Sequence, residues 1–269
     1  MSTASAAPAT APPAARPALI ADSWYLALRH LRLMSRRPSS FVGAIVFPIM
    51  FAVLFMTVFG TIMDRGGLDY PQYMLPAVVL QSVLFAAMSG SIWAAEDAGG
   101  GMVSRLRAMP ISRAAPIISL LLGEAIRALI GATVLIVVGF IMGFRFQTGI
   151  LGVLGFYGLV TLASLAFILP YLVLGFAVVD PEKVQVFGGI VFYPLLLVSI
   201  LFVPGDVYPS WLRGFAENQP LSCVAEALRA VTTDGSVDTA STVGIAVAWM
   251  IGLLAFFGLL APRVFGRVG

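Results

Sequence analysis

Six long apolar stretches constrain the fold of this chain more than any other feature, and five of them contain no charged side chain. A bilayer core about 30 Å thick requires roughly 20 apolar residues of helix to cross it. Only helices and closed barrels satisfy their backbone polar groups in lipid. The sequence therefore predicts an all-α integral membrane protein with six transmembrane helices, at about residues 41–63, 72–95, 117–144, 150–179, 184–203 and 243–262.

The composition fits one membrane domain and excludes several kinds of site. Hydrophobic residues make up 59% and charged residues 11% of the chain, against about 45–50% and about 25% in soluble domains. We assign residues 21–269 to this domain and predict that the Ala- and Pro-rich residues 1–20 form a disordered cytoplasmic tail. One cysteine, Cys223, and one histidine, His30, exclude an internal disulfide and paired-histidine zinc motifs.

No catalytic, cofactor or metal site is predicted in this chain. The only lysine, Lys183, follows Pro181 and Glu182 and is not part of a GxxxxGK[ST] phosphate-binding loop. ATP and its Mg²⁺ would therefore have to be bound by another polypeptide, and the chain itself is not expected to be an enzyme.

The distribution of basic residues predicts the topology. Eleven Arg and Lys residues lie on the face that holds the N-terminus and four lie on the opposite face, with Arg127 inside the third span. The positive-inside bias then places both termini and the loop 96–113 in the cytoplasm. This modest excess of basic residues reflects membrane topology and does not indicate a nucleic-acid partner.

A helix is predicted before the first span. Its apolar stripe includes Trp24, Leu28 and Leu31, and its basic residues Arg29, Arg32 and Arg36 form another stripe. Such a helix would lie on the inner leaflet. The alternative is a basic segment that only orients the first span.

The charged segment between the second and third spans is the first place to seek function. Glu96 and Asp97 precede three glycines, and the residues after them form a short helix that Pro110 ends. Val103 and Leu106 would offer an apolar contact to a partner, guided by Arg105 and Arg107. The alternative is a connecting loop whose arginines only fix the topology.

Glu124 and Arg127 lie one helical turn apart in the third span. A lone charge at the bilayer centre costs roughly 2.5–3.5 kcal/mol on insertion scales, so an i, i+3 pair near a helix end is favourable. We favour a structural or interfacial pair, with a proton or substrate relay as the alternative.

Two further patterns concern packing and the outer surface. Glycines at three-residue spacing in the fourth span and the pair Gly139 and Gly143 in the third predict close helix packing. Between the fifth and sixth spans, Tyr208, Trp211, Pro220 and Arg229 belong to a predicted extracellular helical hairpin seated in the outer leaflet. A surface loop is the alternative.

Four stretches together resemble the membrane-spanning subunit of ABC-2 type ABC exporters, in the branch of daunorubicin-resistance and related drug or lipid permeases. They are LALRHLRLMSRRPSSFVGAIVFPIMFAVLFMTVFG at 26–60, EDAGGGMVSRLRAMPISR at 96–113, GEAIRALIGATVLIVVGFIMGFRF at 123–146 and YPSWLRGFAENQPLSCVAEALRAV at 208–231. They match, in order, the family's basic connecting helix and first span, its charged inner loop, its third helix and its extracellular hairpin. Glu124 departs from the pattern, because relatives often have a basic residue there.

The resemblance implies a dimer of permeases, either two copies or this chain with a homologous permease, docked on two ABC ATPase subunits. The residues implied in ATPase coupling are Glu96, Asp97, Met102, Val103, Arg105, Leu106, Arg107, Met109, Pro110 and Arg113, and the helix that contains Trp24 would also touch the ATPase. The cargo would be an amphipathic drug or lipid-like molecule, exported across a bacterial plasma membrane. Candidate path residues are Phe47, Phe51, Phe55, Met56, Phe85, Met88 and Phe192.

Two other functional classes stay open from the residues alone. A proton-coupled secondary transporter would work without an ATPase, and its flux would stop when the proton gradient is dissipated. A membrane scaffold would show no flux in either condition.

Overall fold

The computed structural model describes residues 19–35, 38–67, 69–103, 115–234 and 238–266. Within these ranges every regular element is a helix. We number the longer α-helices in chain order. They are α1 (Leu19–Ser35), α2 (Pro38–Arg65), α3 (Tyr70–Gly99), α4 (Ala115–Ile141), α5 (Gly149–Val178), α6 (Pro181–Leu197), α7 (Ser210–Asn218), α8 (Pro220–Thr232) and α9 (Thr239–Phe265), with a 3-10 turn at Gly205–Val207.

α3 is the central helix of the bundle. It packs most extensively against α5 and also contacts α2, α4, α6 and α8. Its buried side chains come from all sides of the helix, as expected for an element surrounded by others. α2 and α9 lie at the rim, with mostly exposed apolar side chains.

Five helices are long and apolar enough to cross a membrane: Val46–Met63 within α2, and all of α3, α4, α5 and α9. They correspond to the first, second, third, fourth and sixth predicted spans, so the all-helical, multi-pass architecture is confirmed. The predicted fifth span, 184–203, corresponds to α6, which has 17 residues. At 1.5 Å per residue α6 is about 25 Å long, so the six-span count stays a prediction.

Several boundaries differ from the predicted ones. α1 begins at Leu19, within the segment predicted to be a tail, whose residues 1–18 lie outside the described ranges. α4 ends at Ile141, and Gly143 has a φ of +105° that turns the chain outside the helix. Gly143 therefore serves a turn and not the helix seam that its spacing from Gly139 predicted, because a positive φ favours glycine.

The glycines of α5 have different roles. Gly152 and Gly155 lie against Val231 of α8, whereas no heavy atom of the described chain stands within 4 Å of a Cβ added at Gly149 or Gly158. α5 approaches α3 closely at Gly175, where an added Cβ would collide with the backbone oxygen of Ser91 and stand 2.8 Å from the Cβ of Ala94. A carbonyl of the helix backbone cannot rotate aside as a flexible side chain can.

We expect Gly175→Ala to destabilise the protein, because the added methyl group forces α3 and α5 apart. Overpacking of this kind costs about 1–3 kcal/mol. Thermal unfolding of the purified protein in detergent measures the effect. Gly158→Ala, on the same helix, is the matched control and should leave the midpoint unchanged or slightly raised, because Ala favours helix over Gly. Equal midpoints for the two variants would contradict the close contact.

Candidate functional site

We call the end of the bundle where α1 packs the α1 end, and the end where α7 and α8 lie the hairpin end. His30 of α1 lies at the α1 end, where its Nε2 is 3.2 Å from Oε1 of Glu124 in α4. Its ring also meets Trp93 of α3 edge to face, with 5.4 Å between centroids. Both His30 and Glu124 are buried. The histidine therefore ties α1 to α3 and α4 through one side chain.

The predicted pair Glu124 and Arg127 is an ion pair in the structure. Nε of Arg127 donates to Oε2 of Glu124 at 2.8 Å, and its Nη2 contacts the same carboxylate and donates to the carbonyl oxygen of Ala86 at 3.0 Å. Gly90 makes room for the carboxylate, since a Cβ there would stand 2.9 Å from Cγ of Glu124. Buried charges persist only when they are paired and hydrogen-bonded. These contacts meet that requirement.

A helix is present where the interfacial helix was predicted, but its buried face differs from the predicted stripe, and its place on a membrane surface stays a prediction. Ser23, Ala27, His30 and Met34 are buried, and Trp24 is 50% exposed. Leu28 and Leu31 are half-buried, Arg29 and Arg32 are exposed, and Arg36 lies outside the described ranges. α4 approaches this buried face closely, since a Cβ at Gly123 would stand 2.7 Å from Cδ2 of His30.

Only the beginning of the predicted coupling segment falls within the described ranges. Glu96 and Asp97 belong to the last turns of α3, with Glu96 exposed and Asp97 half-buried. Met102 is half-buried and helical, and Val103 is buried. Arg105, Leu106, Arg107, Met109, Pro110 and Arg113 lie outside the described ranges.

Val103 is the only apolar residue of the predicted coupling contact whose surroundings the structure describes. It belongs to a buried cluster of this chain's own residues that includes Ile117, Phe176 and Phe265. It also borders a small crevice of about 20 Å³, with Asp97 and His30 on its walls. Its side chain is thus packed against the bundle, and its part in coupling stays a prediction.

Arg229 organises the hairpin end. Its Nε donates to the carbonyl oxygen of Tyr73 at 2.9 Å, and its Nη2 donates to those of Ile200 and Leu201 at 3.1 and 2.7 Å. Its Nη1 donates to Glu226 at 2.7 Å, and the guanidinium lies 3.5 Å from the Tyr73 ring centroid. One side chain therefore joins α8, α3 and the segment after α6.

α6 ends at Leu197, six residues before the predicted end of the fifth span. The hydroxyl of Tyr208 donates to the carbonyl oxygens of Leu197 and Ser199, and that of Tyr73 donates to Ile200 at 2.6 Å. Nε2 of Gln219 donates to Val198 at 2.8 Å. Because these donors satisfy the carbonyl of Leu197 and those of the residues after it, the chain leaves the helix without unpaired carbonyl groups there.

The hairpin itself consists of the two short helices that the sequence predicted, with the break at Pro220. Gln219 is extended between α7 and α8, and Pro220 occupies the first turn of α8. Trp211 of α7 is 80% exposed, as an aromatic side chain at the headgroup level would be. Its depth in a membrane stays a prediction.

A cleft of about 770 Å³ lies between α3 and α6. Apolar side chains of Met88, Val186 and Ile190 line it, together with the polar groups of Glu182, Gln185 and Tyr193. The cleft is open to the surface of the chain, and Met88 is the residue that α3 contributes to it.

Two aromatic stacks contain most of the predicted path residues. Phe85 of α3 lies 6.1 Å from Phe47 of α2 and 5.3 Å from Phe192 of α6, between ring centroids. Phe55 stacks on Phe51 and Phe202. Of the seven path candidates, only Met88 lines the cleft, and Phe192 is buried. Their role in transport stays a prediction.

The sequence did not predict the contacts of His30. The available signal was that the chain's only histidine lies between Arg29 and Arg32 in a helix with several basic residues. Sequence reasoning also missed the full set of partners of Arg229, which come from segments far apart in the sequence. Within the described part of the chain, no three His, Cys, Asp or Glu side chains converge as metal ligands do.

We expect Glu124→Leu to destabilise the protein strongly, because it leaves the Arg127 guanidinium buried without its carboxylate. Breaking a buried pair in this way costs about 3–5 kcal/mol. The double variant Glu124→Leu with Arg127→Leu should recover most of the loss. Thermal unfolding in detergent measures both.

The exposed pair of Arg213 and Glu217, 2.6 Å apart, is the matched control. Glu217→Gln should change stability by no more than about 1 kcal/mol, since exposed pairs contribute little. A double variant as unstable as Glu124→Leu alone would contradict the ion-pair account.

We expect Arg229→Lys to loosen the hairpin, since an ammonium group cannot reproduce the planar fork that reaches several acceptors. Cys223 of α8, the only cysteine, reports on this change. Burial raises the pKa of its thiol, so little reactive thiolate exists at neutral pH. If the hairpin loosens and Cys223 becomes exposed, the pKa of its thiol falls toward its ordinary value. Maleimide labelling at pH 7 should then become about tenfold faster per pKa unit recovered.

Arg213→Lys, which changes an exposed arginine of the same hairpin, should leave the labelling rate of Cys223 unchanged. If Arg229→Lys labels no faster than the unaltered protein, Arg229 does not hold the hairpin in place.

Comparison with known proteins identifies the family. The sequence model of the family described as "ABC-2 type transporter" matches residues 22–232. The daunorubicin resistance ABC transporter permease protein DrrB1 of Streptomyces coeruleorubidus is 27% identical over 230 residues, covering 85% of this chain and 80% of the relative. The probable doxorubicin resistance ABC transporter permease protein DrrC of Mycobacterium tuberculosis is 29% identical over 230 residues, covering 82% and 81%.

The doxorubicin resistance ABC transporter permease protein DrrB of Mycobacterium tuberculosis is 28% identical over 201 residues, covering 73% of this chain and 69% of the relative. These relatives align over most of their own length, and the family match runs from α1 to the end of α8. The chain therefore belongs to the ABC-2 type transporter family.

Proposed function

We propose that this ABC-2 permease is the membrane-spanning subunit of an ATP-driven exporter that moves an amphipathic drug or lipid-like molecule out of the cytoplasm or the inner leaflet. The observation that carries the proposal is the family match over residues 22–232 in a sequence that contains no phosphate-binding loop. Separate ABC ATPase subunits would bind ATP and Mg²⁺ and hydrolyse the nucleotide. The permease would supply the path.

The permease would sit in a bacterial inner membrane with six spans and both termini in the cytoplasm. The excess of Arg and Lys at the α1 end supports this orientation. α6 would form the fifth of these crossings together with the segment after Leu197, whose carbonyl groups already have donors. Non-helical backbone is tolerated at membrane depth where its polar groups have hydrogen-bond partners within the protein.

A second permease, either another copy or a homologous chain, would complete the path. Exposed apolar side chains run along α2 and α6, among them Val53, Leu54, Ile190 and Val191. Lipid or a partner helix covers such faces in membrane proteins. The cleft between α3 and α6 opens beside this surface, so a cargo could enter it at the boundary between two permeases.

The ATPase would act on residues 102–113 and on α1. Val103 supports this role because it fixes the start of the segment to the bundle. His30 supports it as well, because it joins α1 to the same region through Glu124. A movement of the ATPase would then be transmitted to α3, α4 and α5, which pack against one another.

The test is ATP-driven transport in proteoliposomes that contain the permease and an ABC ATPase from its genomic neighbourhood. Daunorubicin, named in a relative, serves as the fluorescent cargo. We expect uptake to require ATP and to persist when a protonophore dissipates the gradient. Uptake without ATP that the protonophore abolishes would instead indicate a proton-coupled transporter.

Leu106→Asp should weaken association with the ATPase and reduce ATP-driven uptake about tenfold or more, because a charge in an apolar docking contact must be desolvated without a partner. Co-purification measures the association directly. Val207→Asp, which places the same charge at an exposed position of the hairpin end, is the control and should leave association unchanged. Undiminished association of the Leu106 variant would contradict docking through this segment.

A further inference from the structure

Gln81, near the middle of α3, is wholly buried in the bundle. Among the described residues, neither its amide nitrogen nor its amide oxygen has a hydrogen-bond partner. A glutamine amide can donate two hydrogen bonds and accept two. Buried polar groups are nearly always paired, and one that is not needs an explanation.

Gln72, on the same helix, shows what a satisfied glutamine looks like here. Its Nε2 donates to the carbonyl oxygen of Arg145 at 2.7 Å and to that of Thr232 at 3.4 Å, and its Oε1 accepts from the backbone nitrogen of Arg145 at 3.2 Å. It joins the loop after α4 to the end of α8. Gln72 is therefore a structural residue, whereas the Gln81 amide makes no such hydrogen bonds among the described residues.

The position of Gln81 on α3 relates it to the cleft. Met88 lines the cleft between α3 and α6 and lies seven residues after Gln81. Two turns of helix return to nearly the same face, so Gln81 and Met88 lie on the same stripe of α3. Along the helix axis, Gln81 lies about 10 Å nearer the hairpin end than Met88.

An aromatic contact separates the two positions. Phe85, one turn from Gln81 on the same stripe, packs on Phe192 of α6 with 5.3 Å between ring centroids. Phe192 is buried, and its ring also meets that of Tyr193, which lines the cleft. Separation of α3 from α6 at this contact would extend the cleft from Met88 to Gln81.

We propose that Gln81 is a hydrogen-bonding contact for the transported molecule, reached from the cleft when the Phe85–Phe192 contact opens. The inference rests on the proposed export function and specifies its cargo. The cargo presents a neutral carbonyl or hydroxyl group beside its apolar surface, because an uncharged amide pairs with such groups. In the closed conformation the amide has no partner and disfavours that state, and a cargo that supplies the partner favours the open one.

The test compares two probes on the purified permease–ATPase complex in nanodiscs. Daunorubicin carries carbonyl and hydroxyl groups, whereas tetraphenylphosphonium is a lipophilic cation without hydrogen-bonding groups. We expect Gln81→Leu to weaken daunorubicin binding about tenfold, the loss of about one hydrogen bond to a desolvated amide. The affinity for tetraphenylphosphonium should stay unchanged.

Two variants separate a contact from a structural role. Gln81→Asn keeps an amide and should retain part of the daunorubicin affinity. Thermal unfolding without ligand should show Gln81→Leu at or above the midpoint of the unaltered protein, since a buried amide without partners has been removed. Gln72→Leu, the matched control on the same helix, should lower the midpoint because its three hydrogen bonds are lost.

Equal daunorubicin affinity in Gln81→Leu and the unaltered protein would overturn the inference and leave the export function standing. An equal loss for both probes would overturn it as well, because that result indicates a packing defect. If the unaltered complex binds neither probe, the proposed cargo class fails and this inference fails with it.

Discussion

Backbone carbonyl groups at and beyond the end of a helix need hydrogen-bond donors, and side chains meet this requirement at the hairpin end. α6 stops at Leu197, and side chains from three other segments donate to carbonyl oxygens of the residues after it: Tyr73 of α3 to Ile200, Tyr208 from before α7 to Ser199, and Arg229 of α8 to Leu201. These hydrogen bonds hold α3, α8 and the segment after α6 together.

The two ends of the bundle use different chemistry for related tasks. At the hairpin end, Arg229 donates hydrogen bonds to neutral carbonyl oxygens of several segments. At the α1 end, the carboxylate of Glu124 contacts His30 of α1 and Arg127 of α4. Between the two ends lie aromatic contacts, with Phe85 touching both α2 and α6, and the buried amide of Gln81. The polar contacts therefore join helices at both ends of the bundle.

The sequence was sufficient for the helical class, for most spans and for the break of the hairpin at Pro220, because hydropathy, length and proline act locally. Contact between Glu124 and Arg127 also followed from spacing along one helix. The partners of His30 and Arg229 could not be predicted, since they come from residues up to 156 positions away. The end of α6 at Leu197 was missed because the apolar pattern continues to Val203 and does not reveal the side chains that donate to the carbonyls after the helix.

Val103 has a consequence for the chain that follows α3. Its side chain is 2% exposed and belongs to a buried cluster that also contains residues of α4, α5 and α9. The stretch after α3 therefore begins from a packed position inside the bundle and not from its surface.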